Sequence, residues 1–504
     1  MNARSKKILL LCLAVALLIG SGQIQNFLNT DRNRLGLTHT AALDNAPPML
    51  AFTTVALGGF RGLISNLLWI RTNTLQQNDQ YFEAAQLATW ITELEPNFSQ
   101  VWLFQAWNMA YNISVKFTAP EDRWRWVQRG IALLRDQGLP YNPDNPLIHR
   151  ELSWFFQHKM GANLDEANLY YKQQWALEMS PYFGPQGTNF DDLLNPRTPE
   201  TLQRLQTFTN HFKIDPAFAQ NVDRQYGPLD WRTPEAHAIY WAAAGIAAAD
   251  RNPDNVKADD VTTLRRSIYQ SIFQAFHHGR IIPNPFSNLP AFGPNLELIP
   301  KVNAAYLAMM AADPKMHDNF ANAHRNFLRD AIYFLYENNR IADAAKWFKI
   351  LGDTYPNKTI IEKDPNSFPR NVTLDEFAIT TANIDVNETS QERVTSAVQG
   401  LIVRAYTELA MGQDDRSAGY LLLANKVYAR YQEKSATGGK NVRTPLPPMK
   451  TLNQYVLDQL LDTQHGLIPQ ARTILRSQLG LPAETNAPPA PQTNTNTPAS
   501  VPLP

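Results

Sequence analysis

Cysteine is almost missing from this 504-residue chain, where Cys12 stands alone. A disulfide within the chain and a zinc cage of thiolates are both excluded. Excess charge is missing too, since 46 basic residues balance 46 acidic ones. That balance argues against a basic nucleic-acid surface and against a polyacidic tail. Signatures of nucleotide binding and hydrolysis are lacking: no GxxxxGKS/T, no HExxH, no GxSxG, and no GxGxxG after a strand. The run "TGGKN" at 437–441 lacks the first glycine of a phosphate loop. No catalytic residue, metal site or cofactor is therefore expected. Long alternating β-branched runs are scarce between 60 and 480, which leaves helix as the dominant pattern.

The N-terminus carries the clearest feature that is present. Arg4, Lys6 and Lys7 precede the apolar run Ile8–Ile19, and small residues follow. This is the layout of a signal peptide or a short membrane anchor. The run spans about 18 Å as a helix, against about 30 Å of hydrocarbon. A full span would have to recruit Gly20–Leu28, with Gln23, Gln25 and Asn26. The basic flank favours an N-terminus inside and the bulk outside. A second apolar stretch, 47–75, contains Arg61, which costs about 2.5–3.5 kcal/mol at mid-bilayer. Phe60, Leu63, Ile64, Leu67 and Leu68 recur there at helical spacing, with Ser65 and Asn66 elsewhere on the helix. The pattern predicts an amphipathic first helix of the water-exposed part.

Next comes a helix at Leu68–Gln77, a turn at 78–80, and a helix at Tyr81–Leu94 with Ala84, Ala88 and Ile91 on one face. Pro96 ends it, and Val101–Ser114 forms the next. Small residues let a partner helix approach, while Trp90, Trp102 and Trp107 fill the grooves between helices. The arrangement resembles the tetratricopeptide repeat (TPR) at Tyr81, Ala84, Ala88, Pro96, Trp102 and Ala106. A second match runs through Leu328, Ala331, Leu335, Ile341, Ala344, Phe348 and Pro356, and 397–431 is a looser third. Further helix pairs fall at 122–138, 146–161 and 165–181. Prolines at 96, 140 and 181 read as terminators, and their spacings of 44 and 41 exceed the TPR period of about 34. The runs "LGGFRG" (57–62) and "RWRWVQRG" (123–130) are similar to those of a group of bacterial membrane-anchored TPR-like proteins. That likeness implies an architecture and no activity.

The resemblance implies an all-α fold, a right-handed α-solenoid of degenerate TPR-like helix pairs. The expected organisation is a signal or anchor helix at 1–30 and a linker at 31–59 leading into the first amphipathic helix. TPR-like repeats follow at 60–185, then a loop-rich helical middle at 186–300. Further repeats occupy 301–480, with an irregular insert at 359–390 and a disordered Pro/Thr/Asn-rich tail at 481–504.

The densest polar cluster is Asp230, Arg232, Glu235 and His237, with Trp231, Tyr240 and Trp241 nearby. His237 could act as a base and Arg232 as an anion clamp, or the set could simply suit a helix N-terminus, with Thr233 as its cap before Pro234. His277 and His278 point about 100° apart on a helix, so one ion rarely takes both. Trp124 and Trp126 lie among Arg123, Arg125 and Arg129, as core rings beside a solvated face or as a stacking surface. Two functions remain. One is a membrane-tethered or exported scaffold, non-catalytic, whose groove takes a protein or peptide partner. Its candidate contacts are Trp102, Asn108, Arg125, Arg232, Glu235 and His237. The other is an all-α carbohydrate-active or hydrolytic enzyme of the cell envelope, with Asp230 and Glu235 as its carboxylates. The expected location is a bacterial inner membrane, single-pass with the bulk periplasmic, or the periplasm or exterior after signal cleavage.

Overall fold

A computed structural model describes residues 60–484, apart from 185–186, 254–255, 283, 288, 313, 362–363, 383–390 and 438–444, together with a few positions between 20 and 31. The apolar run Ile8–Ile19, nearly all of the linker and most of the Pro/Thr/Asn-rich tail lie outside the described residues. Among the described residues no helix is long and apolar enough to cross a membrane. Among the described residues the fold is all-α, with one two-stranded antiparallel hairpin, β1 (Arg280–Ile282) and β2 (Ala291–Gly293). The chain divides into two compact units, Met1–Thr118 with Arg125–Pro143, and Ala119–Trp124 with Asp144–Pro504.

The first unit opens with α1 (Phe60–Gln77), α2 (Tyr81–Leu94) and α3 (Ser99–Trp107). Helix α2 stops at Leu94, two residues before Pro96, whose ring would clash with the preceding turn. Ala84, Ala88, Ala106 and Ala110 are all fully enclosed, so small side chains line the packing of α2 on α3 and the segment after it, and Gln105 Nε2 also donates to Thr89 Oγ1 at 2.8 Å. The helix expected at Val101–Ser114 changes character partway. After α3 it widens into a π-helical segment, Asn108–Ile113, then tightens into a 3₁₀ turn, Ser114–Lys116. Of the three rings expected to fill grooves, only Trp102 does so. Its Nε1 donates to Pro96 O at 2.8 Å and its ring stacks on Tyr141 at 6.2 Å. Trp90 and Trp107 stand at the surface.

Helix α1 also departs from expectation. Of the aliphatic set expected to turn inward, Leu63 and Leu67 are exposed and Ile64 and Leu68 half-buried; Ile70 is exposed as well, while Ser65, Thr72 and Leu75 are buried. Thr72 tolerates this because its hydroxyl donates to Leu68 O at 2.8 Å, within its own helix.

After α4 (Pro120–Ala132), the second unit is built on α5 (Pro146–Trp154), α6 (Asn168–Phe183), α7 (Pro199–His211), α8 (Pro216–Tyr226), α9 (Pro234–Arg251) and α10 (Ala258–His278). Two more π segments, Leu133–Gly138 and Phe155–Gly161, follow α4 and α5 directly. Pro140 and Pro181 do not terminate helices as expected. Pro140 sits inside the short helical turn Leu139–Tyr141 and Pro181 in the last turns of α6. The stretch 186–300 is more helical than its prolines indicate, because Pro199, Pro216 and Pro234 each occupy a first helical position. There the missing N–H costs nothing. Helix α9 packs on α5 and α10. A Cβ on Gly245 would lie 2.9 Å from both His149 Cβ and Leu264 Cδ2, so glycine permits this three-helix contact.

The C-terminal part continues with α11 (Ile299–Ala312), α12 (His317–Glu337), α13 (Ile341–Thr354), α14 (Leu374–Ala382), α15 (Gln391–Ala410), α16 (Asp414–Thr437), α17 (Met449–Leu460) and α18 (Pro469–Gln478). The pair α12–α13 falls where the second TPR-like match was read, with Leu328, Ala331, Leu335 and Ala344 buried. Helix α14 interrupts the insert expected to be irregular.

Candidate functional site

The polar cluster read from the sequence is a buried node before and within the first turn of α9. Asp230 accepts two bonds from one guanidinium, Arg232 Nε at 2.8 Å and Nη2 at 2.7 Å. It also accepts from the Arg232 amide at 3.1 Å and the Ile281 amide at 3.0 Å, which pins the hairpin. A Cβ on Gly187 would collide with the Asp230 carboxylate and with Arg232 Nε, so only glycine lets that loop close over the pair. Thr233 precedes α9 but does not cap it as expected; its hydroxyl donates backwards to Asp230 O at 2.8 Å.

Glu235 is 1% exposed. Its Oε1 lies 2.9 Å from Nδ1 of His278, the last residue of α10. Burial pushes its pKa up, but the His278 contact and the charges of His278 and Lys172 outweigh burial and hold the carboxyl below its ordinary value. The contact is close but not aligned as a hydrogen bond, and among the described residues neither carboxylate oxygen has a hydrogen-bond partner. Gln274 Oε1 is a third buried oxygen of this kind. A Cβ on Gly161, the last residue of a π segment, would lie 3.4 Å from both Glu235 Oε1 and Gln274 Oε1. His237 is fully enclosed between Trp175 and Phe156, and its Nε2–H donates to Trp231 O at 2.8 Å. Burial lowers its pKa to about 4, so it is neutral at pH 7.

A second buried ion pair lies beside the same π segment. Lys159 Nζ donates to Asp165 Oδ2 at 2.6 Å, with Arg123 Nη1 at 3.3 Å from Oδ1. Elsewhere, a cavity of about 580 Å³ is lined by Asp458, Asp462, His465, Phe286, Tyr455 and Val403, among others. Among the described residues no group of three His, Cys, Asp or Glu side chains could hold a metal ion.

The six candidate contacts therefore sit in three places. Arg232, Glu235 and His237 are buried together. Trp102 and Asn108 are buried in the first unit, where Asn108 Nδ2 donates to Tyr81 O at 3.1 Å. Arg125 alone is exposed. Sequence reasoning missed His278, Lys172 and Gln274 as neighbours of Glu235, and Lys159 with Asp165. The available signal was a lysine set among apolar residues, in "QHKMG" and "YYKQQW". The large apolar side chains that do reach the surface of the first unit include Phe82, Trp90, Phe98 and Trp107. Comparison with known proteins finds no matching family model, no matching curated protein and no matching solved structure.

Proposed function

We propose that the chain is a non-catalytic helical-repeat scaffold, membrane-tethered or exported, that binds a protein or peptide partner. One observation carries this reading. Phe82, Trp90, Phe98 and Trp107 stand exposed on or beside helices whose backbones are fixed by enclosed alanines. Rings held out on a rigid frame are the anchors a partner's apolar side chains need. The finer architecture, a right-handed solenoid of degenerate TPR-like pairs, takes its support from α2–α3 and α12–α13, where the expected alanines lie buried. The tether and a periplasmic location take theirs from residues 4–28 of the sequence.

A photo-crosslinking residue at Trp90 tests the scaffold reading in membranes from the native host. A discrete adduct, lost on Phe82→Ser with unfolding unchanged, supports it; a chain that crosslinks only to itself, or not at all, rejects it. A second reading, a hydrolase of the cell envelope, draws on His278, an imidazole 24% exposed beside a buried carboxylate. Polysaccharide turnover abolished by Glu235→Gln in a chain that still folds would favour it.

A further inference from the structure

We infer that the outward face of α1 lies on an anionic lipid bilayer. The helix turns part of its apolar surface outward. Leu63, Leu67 and Ile70 are 56%, 60% and 64% exposed, whereas Ser65 is buried and Thr72 fully enclosed. At about 100° per residue the three aliphatics fall within a 60° arc, and Ser65 and Thr72 lie on the opposite side. Leu75 is buried and Ile64 and Leu68 are half-buried on the inward side. The outward stripe, which Thr74 shares, is therefore apolar surface beyond what the helix commits to its own core, and it has a second apolar medium to meet.

Charge selects that medium. The eighteen residues of α1 include Arg61 and Arg71 and no Asp or Glu. Arg71 is exposed beside the stripe. A cationic helix with an aliphatic stripe and a tryptophan is the composition that settles at the boundary of headgroups and acyl chains. Chain order agrees: α1 is the first long helix after residues 1–59, which include the basic and apolar run 4–19. The proposal rests on the tethered reading only for what brings α1 to a bilayer; it needs no partner for Trp90.

The test uses the full chain with Cys12→Ser and an environment-sensitive fluorophore on one new cysteine. One version carries Leu67→Cys. The control carries Lys349→Cys on α13, where the lysine is 77% exposed. Each is reconstituted into phosphatidylcholine vesicles with and without phosphatidylglycerol, doped with a lipid spin-labelled near the headgroup. The expected result is at least about twofold quenching at position 67 and none at 349, weakened when phosphatidylglycerol is omitted. Equal emission at both positions overturns the proposal. So does a crosslink joining two copies through position 67, which assigns the face to self-association. A probe at 67 already shielded before lipid is added assigns the face to another segment of this chain, and overturns it likewise. Thermal unfolding of Leu67→Cys should match the parent, because the position is exposed. The Trp90 crosslink is read separately, so each idea can fail without the other.

Discussion

The joint between α2 and α3 and the core around α9 both pack helices on small residues but differ in what else they enclose. The joint is made largely of methyl groups: Ala84, Ala88, Ala106 and Ala110 are enclosed, and neutral amides bond across it, Gln105 Nε2 donating to Thr89 Oγ1 and Asn108 Nδ2 to Tyr81 O. The α9 core also uses a small residue, Gly245, but encloses Asp230, Arg232, Glu235 and His237 as well. A joint of methyls and neutral amides fails mainly when its volume changes. A buried ionic core fails when any one partner is lost, because the survivor keeps its charge and its enclosure.

The largest effect should come from Asp230→Ala, which strands the Arg232 guanidinium and releases the Ile281 amide. A loss of about 3–5 kcal/mol is expected in chemical denaturation; a loss below about 1 kcal/mol would erase the contrast with the joint. Glu151→Gln comes next and has a defined sign. Burial pushes Glu151 up from 4.5 to about 7, against the opposing charge of Arg150. The folded chain thus holds this proton longer than the unfolded one. Its contribution is fully present below the ordinary value and is lost as pH rises through about 7. Glutamine removes the loss, so the variant should gain up to about 3 kcal/mol over the parent at pH 8 and almost nothing at pH 4. Ala88→Leu overfills the methyl joint and should cost about 1–3 kcal/mol, with little dependence on pH. The smallest change is Leu63→Gln on the outward face of α1, within about 0.5 kcal/mol in detergent-free buffer. A larger loss would mean that the face is covered within the chain itself.

The same comparison explains what could be read from the sequence. A methyl joint is local and periodic, so Tyr81–Leu94 was placed to the residue and Pro96 marked its end. The pair α12–α13 was legible for the same reason. The α9 core was legible only as a run of polar letters. Glu235 and His278 are far apart in the chain, and nothing in either segment announces the other. Residue type also gave no burial, so five of the six candidate contacts prove to be enclosed. On α1 the spacing groups the aliphatics without saying which way they face, and the set splits, with Leu63 and Leu67 outward and Ile64 and Leu68 half-buried.

The three π segments carry a consequence for anyone editing this chain. A wider turn takes up one more residue than an α-turn, so the side chains beyond it are rotated as though a residue had been inserted. Removing one residue between Phe155 and Gly161 would restore the narrower winding and swing Lys159 and Gly161 around the axis together. Alanine scanning leaves that winding in place. The aim of the side chains beyond this segment therefore depends on the number of residues in it as well as on their identity.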